Sequence, residues 1–167
     1  MRQQSALTPR MASEQLIRAL PSGSLITVTA AAGFGKTTLL RGWERTSVIP
    51  SVVITLDPRH NDPAVLLGSV ARVVFKVVPS MNERLVPAGA RAEADLGSLK
   101  ARLATALADR PLLLMFDDVH QLVLPAAASA MAGVLNACHG VGVTVLCGRR
   151  MPSIRLDRPP QLSRALT

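Results

Sequence analysis

The strongest constraint on this chain is a loop of small residues, 29–35, that joins a predicted strand to a predicted helix. The apolar run Leu25–Thr29 predicts a buried strand, and an amphipathic pattern predicts a helix from Thr37 to about Thr46. Glycines and other small residues let successive backbone N–H groups curve around an anion, and the N-terminal end of the helix adds its positive dipole. A strand, such a loop, Gly-Lys-Thr and a helix are together typical of the phosphate-binding loop of nucleotide hydrolases.

The residues at the end of this loop have predicted roles in holding ATP. Lys36 is expected to reach the β- and γ-phosphates, and Thr37 is expected to place its hydroxyl on Mg²⁺. The usual pattern has a glycine at position 30, where this chain has Ala30, and we expect a small residue to be tolerated there. The alternative is a Gly-Lys-Thr that merely opens an ordinary helix. The predicted nucleotide-binding residues are Ala32, Gly33, Phe34, Gly35, Lys36, Thr37 and Thr38.

A second predicted strand ends in two carboxylates. The apolar run 112–116 is followed directly by Asp117 and Asp118, which predicts a buried parallel strand with acid at its carboxyl end. Open parallel sheets bind their ligands at that end. We predict that Asp117 holds Mg²⁺ through a coordinated water and that Asp118, as a catalytic residue, orients or activates the attacking water. The alternative is that the two carboxylates only cap the following turn.

Arg149 follows the next predicted strand, 141–147, so it also lies at the carboxyl edge of the predicted sheet. An arginine in this place can sense or stabilise the γ-phosphate, which makes Arg149 the second candidate catalytic residue. From position alone, an arginine solvated on a loop explains it equally well.

Strands and helices alternate along the chain, which predicts an α/β fold with a parallel sheet and right-handed crossovers. Beyond the elements already described, we predict a strand at 51–56 and a short last strand at 161–166. Asp62 is a predicted N-cap of the helix that runs to about Val78, and Pro63 suits its first turn. Trp43 is a predicted core anchor. Further helices are predicted at 10–20, 92–109 and 125–138.

Composition narrows the class of protein. The 167 residues suit one domain, hydrophobic residues make up 49%, and no apolar run reaches the length of a membrane span. The N-terminus lacks the apolar stretch of a signal peptide, so we expect a cytoplasmic protein. Cys147 is expected to be a buried, reduced thiol. The net charge is +8, but the arginine-rich tail has no aromatic residues for stacking on bases, and we expect no direct DNA binding.

The motifs resemble the N-terminal ATPase module of the large MalT-type, LuxR-family transcriptional regulators, which belong to the signal-transduction ATPases with numerous domains, or STAND proteins. The similarity runs from about Pro9 to the end of the chain, and Ala31 stands where this family usually has proline. The elements that carry it are Ala32–Leu40 with Trp43, Leu56-Asp57 with Asn61-Asp62-Pro63, Phe116–Leu122, and Arg149 with Pro152.

This resemblance implies an ATP-driven switch, in which ATP favours a self-associating form and hydrolysis resets it. It places Arg149 at the position of a sensor arginine and implies an additional-strand P-loop NTPase fold, truncated after the last core strand. We expect a flexible tail over residues 1–8 and an ATPase domain over residues 9–167, without the lid, helical-repeat and helix-turn-helix domains of the family. The alternatives are a small-molecule P-loop kinase and an inactive remnant that acts by protein contact.

Overall fold

The computed structural model describes residues 20–77, 101, 105, 111–138, 142–157, 160 and 163–166. Strand β1 (Ser24–Thr29) leads through the loop into helix α1 (Lys36–Thr46), and β2 (Ser51–Thr55) leads through a 3₁₀ turn (Pro58–Asn61) into α2 (Pro63–Val77). After β3 (Leu113–Asp117) and a second 3₁₀ turn (Val119–Gln121) come α3 (Pro125–Ala137), β4 (Val143–Gly148) and β5 (Ser163–Leu166).

The five described strands form one parallel sheet in the order β2-β3-β4-β1-β5. The strand that leads into the glycine loop, β1, and the strand that ends in the acids, β3, are therefore separated by one additional strand, β4. Because all the strands run the same way, their carboxyl ends lie along a single edge of the sheet. The loop before Lys36, the acidic pair and Arg149 are thereby brought to that edge.

Both faces of the sheet are covered by apolar side chains. One face packs against α1, with Ile26, Leu40, Trp43 and Met115 among its buried residues. The other packs against α2 and α3, where Phe116 is fully buried. Every residue of β3 and β4 is buried, which is the pattern of a parallel strand covered on both sides. Trp43 is only 2% exposed, so the prediction of a core anchor is confirmed.

The corner between β2 and α2 is held by hydrogen bonds of its polar residues. Asp57 accepts hydrogen bonds from the backbone and the guanidinium of Arg59, and these bonds hold the pKa of its carboxyl well below the usual range. His60 is buried, and its Nδ1 lies 3.0 Å from the backbone N of Asp57. Asp62 accepts a hydrogen bond of 2.8 Å from the backbone N–H of Ala64, which confirms it as the cap of α2.

The predicted α/β fold with a parallel sheet is confirmed, and the bounds of the described elements differ from the predicted ones by at most two residues. The last predicted strand is present as β5, paired with β1. The predicted tail 1–8 lies outside the described residues, as do all of the predicted helix 10–20 except Leu20 and nearly all of the predicted helix 92–109. Among the described residues, no helix is long and apolar enough to cross a membrane.

Candidate functional site: the glycine loop and the acidic strand end

The glycine loop turns at two glycines in the left-handed region. Gly33 has φ +83° and Gly35 has φ +73°, and a Cβ built on either residue meets no atom within 4 Å. Glycine is therefore needed at both places for its backbone freedom, and the space beside the loop is open. Ala30 is not among the described residues with positive φ, which explains why alanine fits there. Phe34, between the two glycines, has an exposed ring.

Lys36 begins α1 and folds its side chain back over the loop. Its ammonium donates hydrogen bonds to the carbonyl oxygens of Ala30, at 2.9 Å, and of Ala31, at 2.6 Å. The residue as a whole is only 9% exposed. The loop thus carries a fixed positive charge beside the N-terminal end of a helix, an arrangement that favours a bound anion.

The loop and the acidic strand meet through Thr37 and Asp117. The hydroxyl of Thr37 donates a hydrogen bond of 2.5 Å to Oδ2 of Asp117, across 80 residues of sequence. A hydroxyl and a carboxylate are the hard oxygen ligands that Mg²⁺ prefers. The two residues predicted to hold Mg²⁺ are thus in direct contact, with chemistry suited to that ion.

Asp117 is fixed at the end of the buried strand β3. It is 1% exposed, and its Oδ1 accepts a hydrogen bond of 2.9 Å from the backbone N–H of Asp118. On the neighbouring strand, Cys147 is fully buried, and burial, together with the negative charge of Asp117, raises the pKa of its thiol to about 12. Burial of Cys147 was predicted, but its place beside Asp117 was not, because that depends on the register of β3 and β4.

Asp118 has an unusual backbone conformation. Its φ is 57° and its ψ is 38°. Among the described residues, Asp118 is the only one other than glycine with a positive φ. Its side chain makes no capping hydrogen bond to the turn that follows and is 39% exposed. Asp118 therefore does not cap this turn through its side chain, and it follows β3 at the edge of the sheet where open parallel sheets bind their ligands.

His120 lies next to this carboxylate, and the backbone of Arg149 lies next to His120. Nδ1 of His120 is 3.7 Å from Oδ1 of Asp118 and 3.5 Å from the backbone N of Arg149. The side chain of Arg149 is exposed. Arg149 follows β4 at the carboxyl edge of the sheet, and its predicted role at the γ-phosphate stays a prediction. His120 is mostly buried, as a packed histidine would be, at 14% side-chain exposure.

Sequence reasoning missed Asn61, whose side chain joins the β2–α2 corner to the turn after Asp118. Its signal was the order Asn-Asp-Pro before α2, in which only the aspartate and the proline had a predicted local role. An asparagine that bonds to a distant segment leaves no periodic pattern in the sequence. Only the packed structure shows its partners.

No protein-family model matches the chain, and no curated protein matches it. Three of the similar solved structures are described as a DNA replication initiation factor, the Aeropyrum pernix ORC1 protein in complex with DNA, and C. elegans PCH-2. The first is 12% identical, with 84% of this chain and 36% of that chain covered and a TM-score of 0.46. The second is 18% identical, with 85% of this chain and 39% of that chain covered and a TM-score of 0.47. The third is 16% identical, with 95% of this chain and 40% of that chain covered and a TM-score of 0.43. The chain spans about two-fifths of the length of these structures.

These similarities concern the fold alone. The parallel sheet, the additional strand between β1 and β3, and the glycine loop that opens α1 define an α/β fold of the P-loop NTPase class. Any statement about function therefore depends on the residues of the site and not on the similar solved structures.

Proposed function

We propose that this chain is an ATP-binding switch module with weak ATPase activity, related to the MalT-type LuxR-family regulators. The observation that supports it best is the hydrogen bond between Thr37 and Asp117, which joins the glycine loop to the acidic strand end. Two motifs that are each ambiguous alone become one site when their side chains touch. An ordinary helix start would need no buried carboxylate against its first turn.

In this proposal the loop binds the phosphates of ATP. The left-handed backbone at Gly33 and Gly35 turns the loop so that its amides can line an anion site. The Lys36 ammonium, held at the loop by two carbonyls, contributes the positive charge that attracts the β- and γ-phosphates. Thr38, in the first turn of α1, completes the set of residues that face the nucleotide.

Thr37 and Asp117 would hold Mg²⁺, and the ion would neutralise charge on the β- and γ-phosphates. Asp118 would orient a water molecule and accept its proton, since its carboxylate is partly exposed and uses no capping bond. Arg149 would stabilise negative charge on the γ-phosphate from the end of β4. Each role fits the position of its residue at one edge of the sheet.

The resemblance also motivates the proposed partners. We expect self-association in the ATP state, or contact with further regulator domains, and no direct DNA binding by this chain. The sequence elements that support this are Leu56-Asp57 with Asn61-Asp62-Pro63, and Asp117-Asp118-Val119-His120. Sedimentation with ATP, with ADP and without nucleotide would test self-association, since only the ATP sample should shift.

The function itself is tested by calorimetric titration with MgATP, followed by measurement of phosphate release. Saturable binding and slow phosphate release without any acceptor are the expected results. ADP formation that requires an added small-molecule acceptor would indicate a kinase instead. A folded chain that binds no MgATP would contradict the proposal and leave the remnant that acts by protein contact.

A further inference from the structure

The side chain of Asn61 makes a complete set of hydrogen bonds. Its Nδ2 donates to the backbone oxygens of Pro58, at 3.1 Å, and of Gln121, at 2.7 Å. Its Oδ1 accepts from the backbone N–H groups of Val123, at 2.8 Å, and of Leu124, at 3.0 Å. An asparagine amide has two donor hydrogens and two acceptor lone pairs, so all of its capacity is used.

Three of these four bonds cross from the β2–α2 corner to the connection between β3 and α3. This connection, residues 118–124, begins with Asp118 and contains His120, and we call it the acidic loop. Asn61 holds its last residues just before Pro125 opens α3. The N-cap residue of this helix, Leu124, makes no side-chain capping bond, and Asn61 bonds the N–H groups of Val123 and Leu124, which directly precede the helix.

The acidic loop needs external support because it begins with a strained residue. A non-glycine residue in the left-handed region persists only where its surroundings over-determine it. Around this loop, the N–H of Leu56 donates to the backbone oxygen of Asp117 at 2.9 Å. On the other side, a Cβ at Gly148 would lie 3.0 Å from Val119 and 3.2 Å from the backbone N of His120. The loop is thus packed against β4 on one side and tied to Asn61 at its far end.

We propose that Asn61 is a positioning residue for ATP hydrolysis, which holds the acidic loop so that Asp118 keeps its left-handed conformation. The inference rests on the proposed function, because it assigns Asn61 to the hydrolysis step of the same site. The described hydrogen bonds of Asn61 all go to Pro58 and to the acidic loop, and none goes to the Lys36 loop. Its removal should therefore affect turnover and leave the binding of ATP intact.

The test compares Asn61→Leu with Asn136→Leu, in the full chain. Leucine has the same branched shape and the same number of side-chain heavy atoms as asparagine, and it removes all the hydrogen bonds. Asn136 makes a similar tertiary link, through bonds of 2.8 Å and 3.3 Å with Asp157, but it lies at the other end of α3 from the acidic loop. It therefore controls for the general loss of an asparagine link.

We expect Asn61→Leu to lower kcat for phosphate release about 10- to 100-fold, as misplacement of a reacting group does. Its KM for MgATP should stay within about twofold of the wild-type value, because a residue that acts only on turnover changes kcat and not binding. Asn136→Leu should keep both values. A purely structural role for Asn61 would not split kcat from KM in this way.

A second variant covers poor folding of Asn61→Leu. Asn61→Asp keeps the two acceptor bonds at the N-terminal end of α3 and loses the two donor bonds, so its kcat should fall between the wild-type and leucine values. Circular dichroism establishes that each variant is folded. If the wild type hydrolyses ATP and the folded Asn61 variants match it, this inference alone is overturned. If the wild type binds MgATP without hydrolysing it, the hydrolysis in the proposed function fails, and the inference fails with it.

Discussion

The two halves of the site are built in different ways. The glycine loop is shaped by its own sequence, since the turns occur at Gly33 and Gly35 and the lysine bonds to carbonyls five and six residues before it. The acidic loop is shaped by other parts of the molecule, namely Asn61 from the β2–α2 corner and Gly148 from β4. A local structure tolerates distant changes, whereas a supported one depends on them. Phosphate binding should therefore be the more robust property, and turnover the more fragile one.

The largest expected effect is a loss of turnover without a loss of MgATP affinity, caused by a substitution in the acidic loop. Asp118→Asn keeps the shape and the tolerance for a left-handed backbone but removes the charge that accepts a proton. We expect kcat to fall about 1000-fold while MgATP affinity is retained. Single-turnover phosphate release and calorimetric titration measure the two properties. Wild-type turnover in this variant would show that Asp118 does not activate the water.

The next largest effect is a loss of MgATP affinity, caused by a substitution in the glycine loop. Lys36→Ala removes the only ammonium that bonds to the loop in the described residues, and we expect MgATP affinity to fall about 100-fold or more because charged hydrogen bonds are lost. Lys76→Ala, at an exposed position in the last turn of α2, is the control and should bind normally. Equal affinity in the two variants would exclude Lys36 from phosphate binding.

A smaller effect tests whether the glycine loop depends on its local backbone. Gly35→Ala places a side chain at φ +73°, which costs about 1–2 kcal/mol, so affinity for MgATP should fall about tenfold. Gly68→Ala, in open space within α2, is the matched substitution and should stabilise the fold by about 0.5–1 kcal/mol. Urea unfolding and calorimetric titration read out both. If both substitutions changed the free energy of unfolding in the same direction, a strained turn at Gly35 would be contradicted.

The smallest effect concerns the scaffold that both halves share. Burial raises the pKa of the Cys138 thiol to about 12, well above that of a thiol in the unfolded chain. The unfolded state then loses its proton first as the pH rises above about 9, so stability is full below that pH and declines toward pH 12. At pH 10 we expect the wild type to have lost about 1 kcal/mol more than Cys138→Ala, relative to pH 8.

Urea unfolding at the two pH values measures this difference. Cys147 is present in both proteins, so its own titration cancels in the comparison. Near-neutral kcat and MgATP affinity should be unchanged in Cys138→Ala, because Cys138 follows α3 far from both loops. An equal loss of stability in the two proteins would mean that Cys138 titrates alike in the folded and unfolded chain.

The sequence predicted what depends on local patterns. Five strands, their parallel arrangement and the placement of Thr37 with Asp117 follow from apolar runs that end in chemically distinct residues, since parallel strands share one carboxyl edge. The roles of the predicted site residues stay predictions until nucleotide binding is measured. The cap at Asp62 was also readable, because a cap and its partner are two residues apart.

The sequence did not predict contacts that depend on register and on long-range packing. The left-handed backbone of Asp118 has no signal in its neighbours, and the bonds of Asn61 reach 60 and more residues along the chain. The position of Cys147 beside Asp117 likewise requires knowing that β4 lies between β1 and β3. Such features arise when separate elements pack together, so they are visible only in the folded molecule.

Trp43 gives the molecule an internal optical reporter. It is the only tryptophan in a chain without tyrosine, and it sits two turns after Lys36 on the same helix. Its indole N–H has no hydrogen-bond acceptor among the described residues, and its ring is packed in apolar surroundings. Its fluorescence emission should therefore be blue-shifted and free of tyrosine background. A small movement of α1 when phosphate occupies the loop should then shift the emission maximum, without any added label.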